Sequence, residues 1–514
     1  MKKALLVALT VGLICVWAVP AMAIDWIAMG GFTVKSMFYK NIDYRFPTLW
    51  GGLNGSVVNS LEPGSGVGPA DHAWNRQNWW LQMRGNIFII ARASADLQGV
   101  FGIEVNSTRW GDSDSLATLS GVGGGIAGRW NTDAIAVQVK SMYIDFKVPE
   151  LPLRLKVGIQ PYQLRNHVFL YVDAAGVTGN LKILAGDYAF NINPFWAVMT
   201  KGGYPTSQTT VGGPTDWTTA DDGNFFGVDV NAVLGDIKPG VFFAMQRQGQ
   251  FYDSATGEGD RNLWWLGAYL DAKFGGLALQ ADFIFNGGYD QWKRGVINPG
   301  RDLTVPDWEF LEYAGNGFSV RHEAWLARGE LSYTLNKVTL GFGGLYGTGD
   351  NFDTKDKNEG FMVPYRSEAG KFASDFLVLN GDWGYREPYG TQNTGGLFRT
   401  WATPNQGVWY VRAFADFAVT DWLKLKLNGG YIGDTCKGRF DEFGWDGNND
   451  QSIGWEMDAA VQINIYKNLY FDNAFGYLIG GKALVSQGNI TTGGTGGFRG
   501  QDPWIFVSAL TYVF

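Results

Sequence analysis

A chain of 514 residues with 72 glycines but only 17 prolines, 15% aromatic and 18% charged, is neither collagen-like nor disordered, because so much ring surface has to be buried or embedded in a membrane. The formal net charge of −8, spread without any Lys/Arg run, excludes nucleic acid as an expected partner. Cys15 lies in an N-terminal apolar stretch, which leaves Cys436 alone, so neither a disulfide framework nor a multi-cysteine zinc site is expected.

Met1 to Ala23 opens on Lys2-Lys3, runs apolar from Ala4 to Val19 and ends Pro20-Ala21-Met22-Ala23, the small-residue pattern of a signal-peptide cleavage site. Ile14, just before Cys15, is bulky where lipoprotein processing needs a small residue. Residues 24–514 then read as one domain. After Ile24 no apolar run reaches the roughly 18 residues that a spanning helix needs. An exported, aromatic chain is therefore either soluble or crosses a membrane as a closed β-barrel, the one non-helical way to pair every backbone group in lipid.

Chain order supports the barrel. Period-two alternation predicts strands at 27–39, 78–93, 97–109, 134–147, 153–160, 178–185, 188–199, 224–234, 237–248, 262–274, 276–287, 323–335, 337–347, 406–419, 422–432, 453–466, 469–480 and 503–514. In 453–466, Ile453, Trp455, Met457, Ala459, Val461, Ile463 and Ile465 form a greasy face opposite Glu456, Asp458, Gln462 and Asn464. In 78–93, Leu81, Met83, Ile87 and Ile89 alternate with Gln82, Arg84, Asn86 and Arg92. Tight turns such as Phe274-Gly275-Gly276, Asn336-Lys337 and Lys467-Asn468 alternate with long Gly-, Asp-, Asn- and Thr-rich stretches such as 40–75, 110–133, 348–403 and 433–452. The expected fold is thus all-β, a transmembrane antiparallel barrel of about eighteen strands with short periplasmic turns and long extracellular loops. The count falls to sixteen if 178–185 and 188–199 are not strands. A soluble sandwich also alternates, but the lopsided loops and the tryptophans near strand ends (Trp79, Trp110, Trp264, Trp325, Trp409, Trp422, Trp455, Trp504) suit membrane-interface girdles better.

The last segment places Phe506, Ser508, Leu510, Tyr512 and Phe514 on one face and ends on an aromatic residue. Here the sequence resembles the bacterial outer-membrane porin superfamily, and around Leu151–Gln160 it is similar to eighteen-stranded channels of the alginate-export and basic-amino-acid type. The resemblance implies that Tyr512 and Phe514 are read by the barrel-insertion machinery, that outer-membrane lipid surrounds the chain, and that the assembly is a homotrimer. It also implies that the third outer loop, Pro161 to Gly176, folds inward, so that Arg165 and Asp173 meet the permeating solute. The alternative for that loop is an ordinary strand extension.

With the wet faces inward, the pore-lining candidates are Arg84, Arg92, Glu104, Arg154, Lys156, Asp229, Asp282, Arg328, Glu330, Arg412, Asp416, Lys424, Lys426, Glu456 and Asp458, a nearly balanced set. Motifs that mimic other chemistry fail on context. Gly123–Gly128 matches G-x-G-x-x-G but has no βαβ surroundings. Asp446, Asn448 and Asp450 begin a calcium-loop spacing that Gln451 and Met457 break. His72, His167 and His322 have no local nucleophile partner, no C-x-x-C-H haem site is present, and strands begin too early for a plug domain. No catalytic residue, metal or cofactor is assigned. The expected function is passive diffusion of ions and small hydrophilic solutes through a water-filled channel. The alternatives are a structural sheath around a partner such as an electron-transfer protein, or an outer-membrane enzyme.

Overall fold

A computed structural model describes residues 24–40, 77–109, 137–165, 168–200, 223–253, 257–292, 318–351, 354, 356–364, 367, 375–381, 383–386, 407–436, 451–481 and 502–514. The leader, Trp110, the Gly123–Gly128 run, the Asp446–Asp450 spacing, His72 and His167 lie outside the described residues. All regular elements described are strands: β1 (Asp25–Lys40), β2 (Gln77–Ser94), β3 (Leu97–Arg109), β4 (Val137–Lys147), β5 (Leu153–Leu164), β6 (Leu170–Ala185), β7 (Tyr188–Thr200), β8 (Gly223–Val233), β9 (Ile237–Asp253) and β10 (Gly257–Phe274). They continue as β11 (Leu277–Trp292), β12 (Phe318–Leu335), β13 (Val338–Gly347), β14 (Lys357–Asn358), β15 (Val408–Ala418), β16 (Leu423–Asp434), β17 (Ser452–Tyr466), β18 (Leu469–Gly480) and β19 (Trp504–Val513). β14 is a two-residue rung lying parallel to β12. The other eighteen strands form one antiparallel wall, each paired with its sequence neighbours, and β1 pairs with both β2 and β19, so the sheet has no free edge. The backbones of Gly30 and Phe514 exchange two hydrogen bonds of 3.0 Å at this seam.

Each predicted strand is present. The alternation is inside-out compared with a soluble sandwich: in β17, Trp455 and Met457 are 56% and 53% exposed, while Glu456 and Asp458 are 0% and 4% exposed. A soluble core would bury the first pair and hydrate the second, so the greasy surface is the one that faces lipid. Outward aromatic rings touch from strand to strand near the long-loop end: Trp325 on Tyr346 at 4.8 Å, Trp409 on Tyr431 at 5.5 Å and Tyr431 on Trp455 at 5.2 Å. A second exposed set, Tyr333, Trp422, Tyr466, Tyr512 and Phe514, marks the tight-turn end. These are the two interfacial girdles.

Ile453 departs from the predicted face. It is fully buried, because Gly454 sits at a register irregularity with φ of +141°, which shifts side-chain parity by one. β5 and β6 stay paired with each other up to Leu164 and Leu170, so most of Pro161–Gly176 is strand. Yet that hairpin leaves the wall: β4 pairs with β5 only as far as Ile159, and β7 with β6 only from Gly176. The bend falls where Gly158, with φ of +133°, faces Gly176 in register. A Cβ on Gly176 would lie 2.0 Å from the Trp196 carbonyl oxygen, so only glycine permits the approach.

Candidate functional site

The lumen is built from the inward positions of the wall plus two inserted segments. The first is the β5–β6 hairpin. Its tip residue Arg165 reaches β10 and β11, pairing through its guanidinium with Asp282 and, at 2.7 Å, with Asp271, and stacking on the Tyr269 ring at 4.6 Å. Burial alone would lower the Arg165 pKa, but the two carboxylates outweigh it and hold the guanidinium above its ordinary value. Beside it Phe169 sits on Phe242 and Trp265, at 4.7 and 5.7 Å. Tyr162 donates to the Trp196 carbonyl at 2.8 Å, which fixes the base of the hairpin. Asp173 accepts from Lys140 of β4 at 3.0 Å, and Lys140 continues to Glu104 and Glu104 to Arg84, at 2.9 and 2.7 Å. Arg165 and Asp173 both lie on the inserted hairpin and both are engaged in ion pairs.

The second inserted segment follows β13 and was not anticipated from the sequence. Phe376, Leu377, Val378, Leu379, Asn380, Trp383 and Tyr385 are all buried inside the barrel against β15–β19 and β1. Asp375 anchors the segment: Arg412 approaches at 2.8 Å, Arg328 at 3.3 Å, and the Tyr410 hydroxyl donates at 2.6 Å. Burial would raise the Asp375 pKa, but Arg328 and Arg412 overcome it and hold the carboxyl below the ordinary range. Glu456 accepts the backbone N–H groups of Val378 and Leu379 at 2.5 and 3.0 Å. Arg386 forms a fork on Asp472 and reaches the Asn464 side-chain oxygen at 2.7 Å. At the rim, burial pushes Asp350 up to about 6, with Glu359 adding to the shift and backbone N–H groups opposing it. The apolar run Phe376–Leu379 in a loop otherwise rich in Gly, Asp and Asn was the available sign, since exposed loops rarely hold four such residues in succession.

The two inserted segments touch. Tyr171 N–H donates to Ser367 Oγ at 3.1 Å and Ser367 donates to the Phe169 carbonyl at 2.9 Å, while Trp265 Nε1 of the wall strand β10 donates to the Met362 carbonyl at 2.8 Å.

The remaining candidates have the following surroundings. Arg154 holds Asp145 at 2.5 Å and Lys156 lies 5.6 Å from the Tyr143 ring. Glu330 bridges Arg412 and Arg328 at 2.5 and 3.1 Å. Asp458 accepts from Asn428 at 2.8 Å. Asp416 faces Lys426 in register, and the Lys426 ammonium lies 5.3 Å from the Trp383 ring. Asp229 collects Tyr269, Asn193 and Asn231 at 2.8, 2.9 and 2.7 Å, part of an amide ladder on β6–β8. Arg92 and Lys424 lie exposed near the tight-turn end. His322 is buried 3.4 Å from Asp290, and no group of three or more His, Cys, Asp or Glu able to hold a metal occurs among the described residues.

No family model and no curated protein matches this chain. Among solved structures it is similar to Pseudomonas aeruginosa OccK8 (OprE), with 12% identity, a TM-score of 0.45 and coverage of 95% of this chain and 98% of that one. It is also similar to P. aeruginosa OpdK solved with vanillate, at 11% identity, TM-score 0.45 and coverage of 95% and 98%, and to P. aeruginosa OccD3 (OpdP), at 11%, 0.42, 95% and 91%. The barrel assignment rests on this chain's own strand register.

Proposed function

We propose that the chain is an outer-membrane porin that carries ions and small hydrophilic solutes by passive diffusion, delivered by the leader at 1–23 and inserted through the closing strand with Tyr512 and Phe514. One observation carries this: a wall without edges buries its charged side chains on the inside and exposes its apolar ones on the outside. Charges on the inner wall of an aqueous lumen stay hydrated or paired and bias ion passage. The solute path runs between the charged wall and the two inserted segments, which narrow it from opposite sides. Arg84, Arg154, Arg328, Arg412, Glu104, Glu330 and Asp282 act mainly in pairs that hold this geometry, while Arg92, Lys156, Lys424 and Lys426 are the wall cations that a solute meets. Planar-bilayer recording of the purified protein tests the proposal: stable, stepwise conductance is expected, and a membrane that stays closed after insertion refutes it. The reversal potential in a salt gradient then reports which sign of wall charge dominates the narrowest section.

A further inference from the structure

Between the two girdles, the outward face of the wall is apolar or glycine at the described side chains except at one place. Asn473 of β18 is in register with Ser508 of β19, and Ser508 with Ser36 of β1. All three are half-buried, and none hydrogen-bonds another described side chain or backbone group. They alternate with inward Ala474, Val507 and Met37, which are buried, so they point to lipid. Ser508 lies midway along its strand between the girdle residues Trp504 and Tyr512, near the centre of the hydrocarbon. Positions in the same row on the flanking strands are Leu81, Val461 and Leu425. A carboxamide and two hydroxyls facing acyl chains have no donor or acceptor to replace water. Alongside, Ala459 leaves an indentation of about 330 Å³ walled by Leu427, Phe475 and Phe506.

We infer that this seam is a self-association surface occupied by a second copy of the chain, related by a two-fold axis along the membrane normal. Two copies inserted by one route share an orientation, which fixes the axis direction. With the axis beside Ser508, Asn473 of each copy faces Ser36 of the other and the two Ser508 hydroxyls face each other. Every member of the row is both donor and acceptor, so the row complements itself, as an isologous contact requires. Among the described residues the barrel has one such row, which makes a closed pair, in contrast to the three-fold assembly implied by resemblance to porins. Apolar side chains of β2 in the second copy seat in the indentation beside Ala459.

Native mass spectrometry in lipid nanodiscs or mild detergent tests this. The unaltered protein is expected at the mass of two chains, and the combined variant Ser36→Ala, Asn473→Leu, Ser508→Ala at the mass of one, with the same unit conductance because all three point away from the lumen. A single-chain or three-chain mass for the unaltered protein, or a two-chain mass that survives in the variant, overturns the inference. Ser508→Cys keeps the barrel face nearly intact and gives an independent readout. Mild oxidation should link it into pairs, whereas Leu266→Cys on the far side of the barrel should stay single. Failure of Ser508→Cys to cross-link, with buried Cys436 as background, also overturns it.

Discussion

At the residue scale the lumen is dominated by paired charges, and the pairs differ in what they hold. Asp375 neutralises Arg328 and Arg412, so Asp375→Asn strands two nearly buried guanidiniums with only Glu330 between them. A loss of about 3 kcal/mol is expected, measured as a lower urea midpoint for barrel unfolding, with noisier single-channel current as the segment loosens. Asp350 behaves in the opposite sense. Its folded pKa, about 6, stands above the ordinary 3.8, so its contribution is fully present below that ordinary value and is lost as pH rises through 6. Protection factors, corrected for the intrinsic exchange rate at each pH, at the described amides of 348–351 and 356–361 should therefore be higher at pH 4 than at pH 7, and Asp350→Asn should flatten that dependence. For Asp375 the folded pKa is depressed, so its anchor holds above the ordinary value and is released only as pH falls further. The inward direction of these wall charges was legible from alternation. Their partners were not, because Arg328 and Asp375, like Arg165 and Asp282, lie far apart in the chain and meet only through inserted segments.

At the element scale, every strand of the wall was legible because one face must be apolar and the other polar along a tilted run of about ten residues, whereas the two-residue rung β14 is too short to show a period. What alternation cannot register is a one-residue irregularity, and Gly454 is the example: it turns Ile453 inward while Trp455 and Met457 stay out. The β5–β6 hairpin shows a related limit. Its residues pair as strands, so local pattern describes them correctly, but only the glycine hinge at Gly158 and Gly176 reveals that they leave the wall. The face assignment yields a contrast on β17. Ala459→Arg places a cation on the outward apolar face at mid-bilayer depth and should cost roughly 2 to 4 kcal/mol in refolding into lipid vesicles. Gln462→Arg points inward, where Gln462 donates to the Gly384 carbonyl at 3.1 Å, and should alter conductance with a much smaller stability change. Equal destabilisation by both would reverse the two faces.

At the scale of the whole molecule, closure by β1 and β19 removes every open edge, and the two inserted segments brace the cylinder from within. Arg165 joins the hairpin tip to β10 and β11, so Arg165→Ala should free one end of that chord. Larger and more variable conductance is expected in bilayer recordings, with the barrel's denaturation midpoint little changed because wall pairing is untouched. Unchanged conductance would mean that the chord does not bound the path. The insertion of the 375–386 segment also has a consequence for the cell surface. Most of an outer loop is what antibodies, phage and secreted proteases meet first, but this stretch is sequestered behind the strand wall with its peptide groups hydrogen-bonded to interior carboxylates. External digestion of intact cells should leave it uncut, and immune recognition would have no purchase on it.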